Sequence, residues 1–427
     1  MKGKTYQITE YGSFVRDREV PGCISLPQST FDVLESFILT NSSRETDALE
    51  LMGLSARKGI GKIITAKNYV GVISMKDGAT IEILPKIYSS ENEDVGRTKK
   101  LLVEMLKSLR NSPFKSLQTT SVDIEKMSIF EVFIRMFIDE VFFIVKRGLK
   151  CNYKTIQSNE SVLKGKLKFS EQVRYNYAHK EKCYVEYDEF NINRVENKLL
   201  KSTLLYLYRY SISSKNKKDI KTLLNYFLEV EESVDYISDF AKIVPERNTK
   251  DYDTALLWSK VFLSGKSFTS FSGSEVAFAL LFPMEALFES YIATQINRLL
   301  KGTSCVFSAQ DRKYHLFDEP GKRFLMKPDI VIRNKTSKKI FIMDTKWKVL
   351  SDAKANYGIS QADMYQMYAY HKKYSSENVT LIYPMTDKIE NKEIRYQSED
   401  GVTVRICFVD LYQVKRSLDK IVEMCKC

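Results

Sequence analysis

The stretch Lys327-Pro328-Asp329-Ile330-Val331-Ile332, a polar break from Arg333 to Lys339, and then Ile340-Phe341-Ile342-Met343-Asp344-Thr345-Lys346-Trp347 leave this chain few ways to fold locally. Two short runs of Ile, Val and Phe on either side of Asn334-Lys335-Thr336-Ser337 predict a pair of strands joined by a hairpin turn. Strand side chains alternate faces, so Asp344 and Lys346 are expected on one side and Thr345 on the other. With the usual twist, Asp329 approaches that pair from the side. Two carboxylates and an ammonium then surround one small space. Such a grouping suits phosphodiester hydrolysis, which needs a hard divalent cation on oxygen ligands, an activated water and positive charge beside the reacting phosphorus. On that reading Asp329 and Asp344 hold Mg²⁺, with Mn²⁺ able to substitute. The Thr345 carbonyl would add a ligand, and Lys346 would orient water or stabilise charge. An Asp-x-Lys tripeptide also occurs as an ordinary solvated edge pair, so three residues alone do not decide.

Pro328-Asp329 followed by Asp344-Thr345-Lys346 resembles the signature of the PD-(D/E)XK nucleases, with Asp in the variable carboxylate position. The flanking segments extend the likeness. Residues 273 to 300 are expected to form a helix with a break at Pro283, carrying Glu285 and Glu289 one turn apart on one face. In that superfamily a helix before the hairpin often supplies a metal-binding glutamate, and Met284-x-x-Leu287-Phe288-Glu289 points to Glu289; the alternative is a solvent-facing helix residue. After the hairpin, Ser360 to Tyr374 reads as a helix whose Gln366-Met367-Tyr368-Ala369-Tyr370 is similar to the Gln-x-x-x-Tyr motif of RecB-like nucleases. Gln361 and Tyr365 fit the same motif one frame earlier. Gln366 is preferred as a catalytic residue because Asp363-x-Tyr365-Gln366-Met367-x-x-Tyr370 is the form found in McrC proteins. Strands at 378–383 and 402–410 and a helix from Tyr412 complete a predicted α/β/α sandwich around a mixed sheet.

The length of 427 residues implies two or three domains, and a formal net charge of +12 implies an anionic partner, nucleic acid before an acidic membrane surface. No long uncharged apolar run is present, so a soluble, cytoplasmic protein without a membrane partner is expected. The seven cysteines form no Cys-x-x-Cys pair and point to reduced thiols; the tail pair Cys425 and Cys427 reads as incidental. Three histidines, His179, His315 and His371, give little material for a zinc centre or a Ser-His-Asp triad.

Residues 1 to 92 read as a small β-rich domain with a helix at 28–40, strands at 61–66 and 69–74, and a turn at Asp77-Gly78. Ala56-Arg57-Lys58-Gly59-Ile60-Gly61-Lys62 fails as a phosphate-binding loop, because the glycine spacing is wrong and Ile63 stands where Ser or Thr would bind Mg²⁺. It is a basic hairpin tip, either a plain solvated turn or a contact surface built from Arg57, Lys58 and Lys62. The segments Asn68–Ile73 and Ile81–Ile87 resemble the N-terminal region of McrC proteins, the nuclease subunits of McrBC-type restriction systems.

Residues 93 to 245 form a mainly helical middle domain in this reading. The helix at 129–147 has one apolar face, and Glu131, Arg135, Asp139 and Glu140 interrupt it too often for a membrane span. Leu163 to Phe169 alternates as a basic strand, either phosphate-facing or a plain amphipathic edge. Asp188 and Glu189 are read as structural, and Lys215 to Lys218 as a loop between helices. The patches at 187–191 and 196–201 also look like McrC.

The expected fold is therefore α/β multidomain, with a β-rich partner-binding domain at 1–92, the helical middle at 93–245 and a PD-(D/E)XK nuclease domain at 246–427. The McrC resemblance implies a Mg²⁺-dependent endonuclease subunit acting on double-stranded DNA with an McrB-like AAA+ GTPase hexamer. The chain would stimulate that partner's hydrolysis through the basic tip at Arg57, Lys58 and Lys62. The alternatives are a LlaJI-type subunit or autonomous nuclease cutting a fixed sequence, and a catalytically inactive activator of a partner NTPase.

Overall fold

The computed structural model describes residues 4–40, 51–76, 78–87, 94–109, 113–116, 127–244, 247–263, 276–389 and 393–426. The chain divides into two compact units, Met1–Phe130 with Ser267–Cys427, and Glu131–Lys266. The sequence-based joints near 92 and 245, Asp77 of the expected turn, and Cys427 lie outside the described residues.

What knits the two ends of the chain into one unit is a strand the sequence reading missed. Residues 276 onward were expected to be helical, yet Val276–Pro283 is a strand pairing antiparallel with Tyr69–Met75. The cause is legible in hindsight. Val276-Ala277-Phe278-Ala279-Leu280-Leu281-Phe282 is apolar throughout, so it has no helical stripe, and such a run is equally at home as a buried strand. The helix begins only at Met284, with Pro283 at its N-cap. Close approach is possible because Gly71 sits at φ +140°, where a Cβ would lie 2.0 Å from the Leu280 carbonyl oxygen. The resulting sheet runs in the order Thr5–Thr9, Thr80–Leu84, Tyr69–Met75, Val276–Pro283. A second four-stranded sheet, Cys23–Leu26, Ser13–Arg16, Gly61–Ala66, Met52–Arg57, shares a core with it and with the helix Gln28–Thr40 through Phe14, Phe31, Leu34, Ile64, Ile73 and Ile81.

The third sheet of this unit has six strands in the order Cys305–Ala309, Ile330–Asn334, Ile340–Thr345, Asn378–Pro384, Thr403–Val409, Ile394–Gln397. The hairpin pairs antiparallel with Ile330 opposite Met343, whereas Ile340–Thr345, Asn378–Pro384 and Thr403–Val409 run parallel, so the sheet is mixed. Ile342, Val379, Leu381, Val404 and Ile406 share a core with Met367, Tyr370 and Tyr374 of the helix Gln361–Tyr374. The alternate residues Phe341, Met343 and Ile382 are buried as well. The helices Met284–Leu299 and Val414–Lys426 pack on each other and on strands of this sheet. Helices and a mixed sheet thus form layers, as the near-continuous apolar runs of its central strands require when both sheet faces are covered.

The second unit holds the helix Ile129–Arg147 from Glu131 onward, the helices Val195–Tyr210, Ser214–Leu224 and Asp253–Leu263, and a three-stranded sheet. That sheet rests on the nine-residue strands Asn152–Glu160 and Cys183–Asn191. Two expectations are corrected here. Only Lys166–Leu167 of the basic stretch pairs as a strand, because a helix already begins at Phe169. Lys215 to Lys218 is no loop but the start of Ser214–Leu224, whose N-cap Ser213 accepts from the Asn216 amide. Buried Glu131 explains why that helix begins there: its carboxylate accepts from the Ser213 amide at 3.1 Å, the Ser211 hydroxyl at 2.9 Å and Asn216 Nδ2 at 2.7 Å. Asp188 accepts from the Thr155 hydroxyl at 2.7 Å across the sheet. Among the described residues no helix is long and apolar enough to cross a membrane.

Candidate functional site

The hairpin strand Ile340–Thr345 delivers Asp344 to the end of the sheet, where it is 2 % exposed. Lys346 follows the last strand residue, its amide still donating to the Ile382 carbonyl of the parallel neighbour at 2.9 Å. This anchors the lysine, and its Nζ lies 2.8 Å from Asp344 Oδ2. Asp329 stands just ahead of its strand rather than within it. Its Oδ2 accepts from both the Thr345 amide and the Thr345 hydroxyl, each at 2.7 Å. Strict alternation would point Thr345 away from the acidic pair; instead the residue holds Asp329 in place. Its observed contacts are those of an orienting group.

Two further elements close the site. On the helix Gln361–Tyr374, Gln366 Oε1 accepts from Lys346 Nζ at 3.2 Å, and Gln366 Nε2 donates to the Tyr370 hydroxyl at 2.9 Å. The competing pair Gln361 and Tyr365 bond each other on the exposed side of the same helix. Asp363, one turn before Gln366, lies 3.5 Å from Lys346 Nζ. It stood inside the motif but had been given no role. On the helix Met284–Leu299, Glu289 accepts from Gln310 Nε2 at 2.7 Å, and the Gln310 amide donates to the Asp329 carbonyl at 2.8 Å. Gln310 was also missed, since it belongs to no motif and is found only through the fold.

Electrostatics expose the tension in the arrangement. Burial pushes the Asp329 carboxyl up to about 6, with the Glu289 charge adding to the rise and the Thr345 donors and Lys346 opposing it. Burial, and then the charge of Asp329, likewise push Asp344 up to about 6 against the pull of Lys346. For Lys346, burial works to lower the ammonium's affinity for its proton, but Asp344, then Asp363 and Asp329, hold it above its ordinary value. Burial also raises the Tyr370 phenol. One buried and one half-buried carboxylate with one shared lysine leave negative charge uncompensated, and hard oxygen donors in that state fit a divalent cation. Among the described residues no three His, Cys, Asp or Glu side chains stand as a ready-made metal cage. The donors brought together are Asp329 and Asp344; Glu289 acts on Asp329 through its charge.

At the hairpin tip Arg57 and Lys58 are exposed, while Lys62 pairs with Glu35 of the helix Gln28–Thr40 at 2.5 Å. Arg18 Nη1 donates to the Gly59 carbonyl at 2.9 Å, adding a cation that the sequence reading had not assigned.

The family model of the McrBC 5-methylcytosine restriction system component matches residues 64–384. Among solved structures the chain is similar to one from the tetradecameric assembly of Thermococcus gammatolerans McrB AAA+ hexamers with bound McrC, at 19% identity and a TM-score of 0.73, covering 98% of this chain and 100% of that one. A second similar chain comes from the cryo-EM structure of the Thermococcus gammatolerans McrBC complex, at 18% identity and a TM-score of 0.52, covering 70% of this chain and 88% of that one. At these identities the likeness concerns the fold. No curated protein matches the chain. Because the matched span, from within the β-rich N-terminal segment through the Asp329–Lys346 hairpin and beyond, is well over half of the sequence, the chain belongs to the McrBC 5-methylcytosine restriction system component family.

Proposed function

We propose that this chain is the DNA-cleaving subunit of a two-component restriction system of the McrBC type, with a PD-(D/E)XK nuclease fold around the hairpin and an McrB-like AAA+ GTPase hexamer as its partner. The observation that carries this reading is the Asp329–Asp344–Lys346 cluster at the end of a mixed sheet, with Asp344 buried, Asp329 and Lys346 half-buried, and Lys346 Nζ 2.8 Å from Asp344. A merely structural ion pair has no use for a second, partly desolvated carboxylate that raises its cost in stability. One similar solved chain comes from an assembly of McrB AAA+ hexamers with bound McrC and another from an McrBC complex, which supports the same kind of partner here.

Asp329 and Asp344 would hold Mg²⁺ or Mn²⁺, with Glu289 close enough to strengthen the site's negative charge. The bound ion would supply Lewis-acid stabilisation of the reacting phosphate and lower the pKa of an attacking water. The chain's own residues do the rest. Thr345 fixes Asp329 through two donors, so the carboxylate need not reorganise during turnover. Lys346, kept protonated by Asp344, Asp363 and Asp329, offers positive charge to the phosphate oxygens and a donor to the nucleophile. Gln366 holds the lysine head and is itself held by Tyr370.

Lys346→Ala should lower DNA cleavage by the assembled complex on the order of a hundredfold or more, as for loss of one transition-state stabiliser. Cleavage should need Mg²⁺ or Mn²⁺ and fail with Ca²⁺, which is larger and more loosely coordinated. Cleavage by Lys346→Ala at the wild-type rate, or robust cleavage in excess chelator, would sink the proposal.

A further inference from the structure

Trp347 directly follows Lys346 and makes two contacts that no nuclease motif calls for. Its ring lies 5.3 Å from that of Phe288, the residue before Glu289 on the helix Met284–Leu299. Its Nε1 donates to both carboxylate oxygens of Glu10, at 3.1 and 3.2 Å. Glu10 is 1 % exposed and follows the first strand, Thr5–Thr9, of the N-terminal sheet. It is fixed on its other side, since its Oε2 accepts from the Lys86 amide at 3.0 Å just past Thr80–Leu84, and its own amide donates to the Leu84 carbonyl at 3.0 Å.

A parallel link stands beside this one. Asn68, before Tyr69–Met75, donates through Nδ2 to Glu285 at 2.6 Å and accepts from the Met284 amide through its carbonyl at 2.9 Å. Residues at one end of three strands of the N-terminal sheet therefore grip both flanks of the candidate site: the segment that carries Lys346 and the first turns of the helix that carries Glu289. Burial, with the nearby Glu285 charge adding, pushes Glu10 up to about 7 against the Lys86 amide and Trp347. A buried carboxyl under that load needs its donors, which makes the contact two-sided.

We propose that Glu10 and Trp347 are positioning residues for the nuclease site, through which the N-terminal sheet sets the placement of Lys346 and Glu289. The proposal rests on the nuclease reading above. It assigns to the N-terminal strands a direct mechanical effect on catalysis, beyond any contact they make with a partner. Trp347→Phe keeps the ring on Phe288 but removes the donor to Glu10; Glu10→Ala removes the acceptor; Glu10→Gln keeps one acceptor oxygen for the indole.

The experiment uses the full chain assembled with its AAA+ partner and follows cleavage of double-stranded DNA with Mg²⁺, next to the partner's GTP hydrolysis. Trp347→Phe and Glu10→Ala should lower kcat tenfold or more with KM for DNA within about twofold. GTP hydrolysis should stay at the wild-type rate, and Glu10→Gln should recover most of the cleavage. Because Trp347 is one of only two tryptophans, a second readout needs no turnover. Mn²⁺ added to the isolated chain should change the tryptophan emission of the wild type but not that of Trp347→Phe, and Glu10→Ala should lessen the change. Wild-type cleavage by both Trp347→Phe and Glu10→Ala overturns the proposal, as does equal loss of cleavage and GTP hydrolysis, which would mean that the link only holds the fold. Asp344→Asn separates this outcome from failure of the nuclease reading: if that variant also cuts, the site itself is misassigned.

Discussion

Replacing Asp344 by Asn should stabilise the metal-free protein at alkaline pH, the opposite of what removal of a buried ion-pair partner ordinarily does. Asp329 and Asp344 are both pushed from an ordinary 3.8 up to about 6 by burial and, in turn, by Glu289 and by Asp329. The native state holds these two protons more tightly than the unfolded chain does. The stability that this confers is complete below pH 3.8 and is lost as pH rises through about 6. A rise of that size on one carboxyl corresponds to roughly 3 kcal/mol, and for two interacting groups the pair is worth less than double. Asparagine at 344 removes the share carried by that residue and relieves Asp329 as well. Against this, Lys346 loses its closest partner at 2.8 Å while keeping Asp363 at 3.5 Å and Gln366 at 3.2 Å. The balance should be a gain of about 1–2 kcal/mol at pH 8, or a few degrees in Tm, and close to nothing at pH 5.

Thermal melts of the full chain in excess chelator at pH 5, 6, 7 and 8 provide the assay. The wild type should lose stability between pH 5 and 7, and Asp344→Asn should trace a flatter curve that crosses above it. Adding Mn²⁺ at pH 8 should raise the wild-type Tm and leave the variant unmoved, because an ion that binds only the folded site stabilises by mass action. If Asp344→Asn is less stable than the wild type by the same margin at pH 5 and pH 8, the two carboxylates are not in conflict, and the case for a cation between them loses its basis.

Two other perturbations test different parts of the construction. Gly71→Ala should destabilise the first unit on the order of 3 kcal/mol, because the new Cβ meets the Leu280 carbonyl at 2.0 Å in a backbone conformation that L side chains avoid; an unchanged melt would refute the close pairing of these strands. Charge reversal at Arg57 and Lys58 should weaken stimulation of the partner's GTP hydrolysis without altering stability, whereas Lys62→Ala should cost less than about 1 kcal/mol through its exposed pair with Glu35. Equal stimulation by the charge-reversed chain would make the tip an ordinary turn.

The hairpin and its neighbouring strands were legible because their signal is local. Ile330 to Asn334 and Ile340 to Thr345 carry β-branched and aromatic residues on both faces, which only a doubly covered strand tolerates. The helix Gln361–Tyr374 lies where the sequence placed it, and the structure adds its N-cap, Ser360, which accepts from the Asp363 amide at 3.1 Å, and basic residues in its last turn. What stayed hidden is what depends on distant pairing. Val276–Pro283 is as apolar as a buried helix turn, and its identity is decided by an edge of Tyr69–Met75 about two hundred residues earlier in the chain. Gln310 and Glu10 belong to the same class, being polar residues whose meaning comes from Glu289 and Trp347.

The groups that motif reasoning finds, Asp329, Asp344, Lys346 and Gln366, contact one another within the hairpin and a single helix. The groups it misses tie this cluster to elements folded from the other end of the sequence. Were the cluster autonomous, the strand Val276–Pro283 would have no need to run into the helix of Glu289 while completing the N-terminal sheet. Instead one continuous segment, from Val276 to Leu299, is sheet edge at its start and the helix that carries Glu289 beside the candidate site at its end. On the proposal above, a shift of the N-terminal sheet would reach Glu289 along the chain through Pro283 and Met284, and Lys346 through the Glu10–Trp347 hydrogen bonds and the peptide bond between Trp347 and Lys346. Two routes that reach opposite flanks of one pair of carboxylates are what a subunit needs if cutting is to wait on an event at its N-terminal strands.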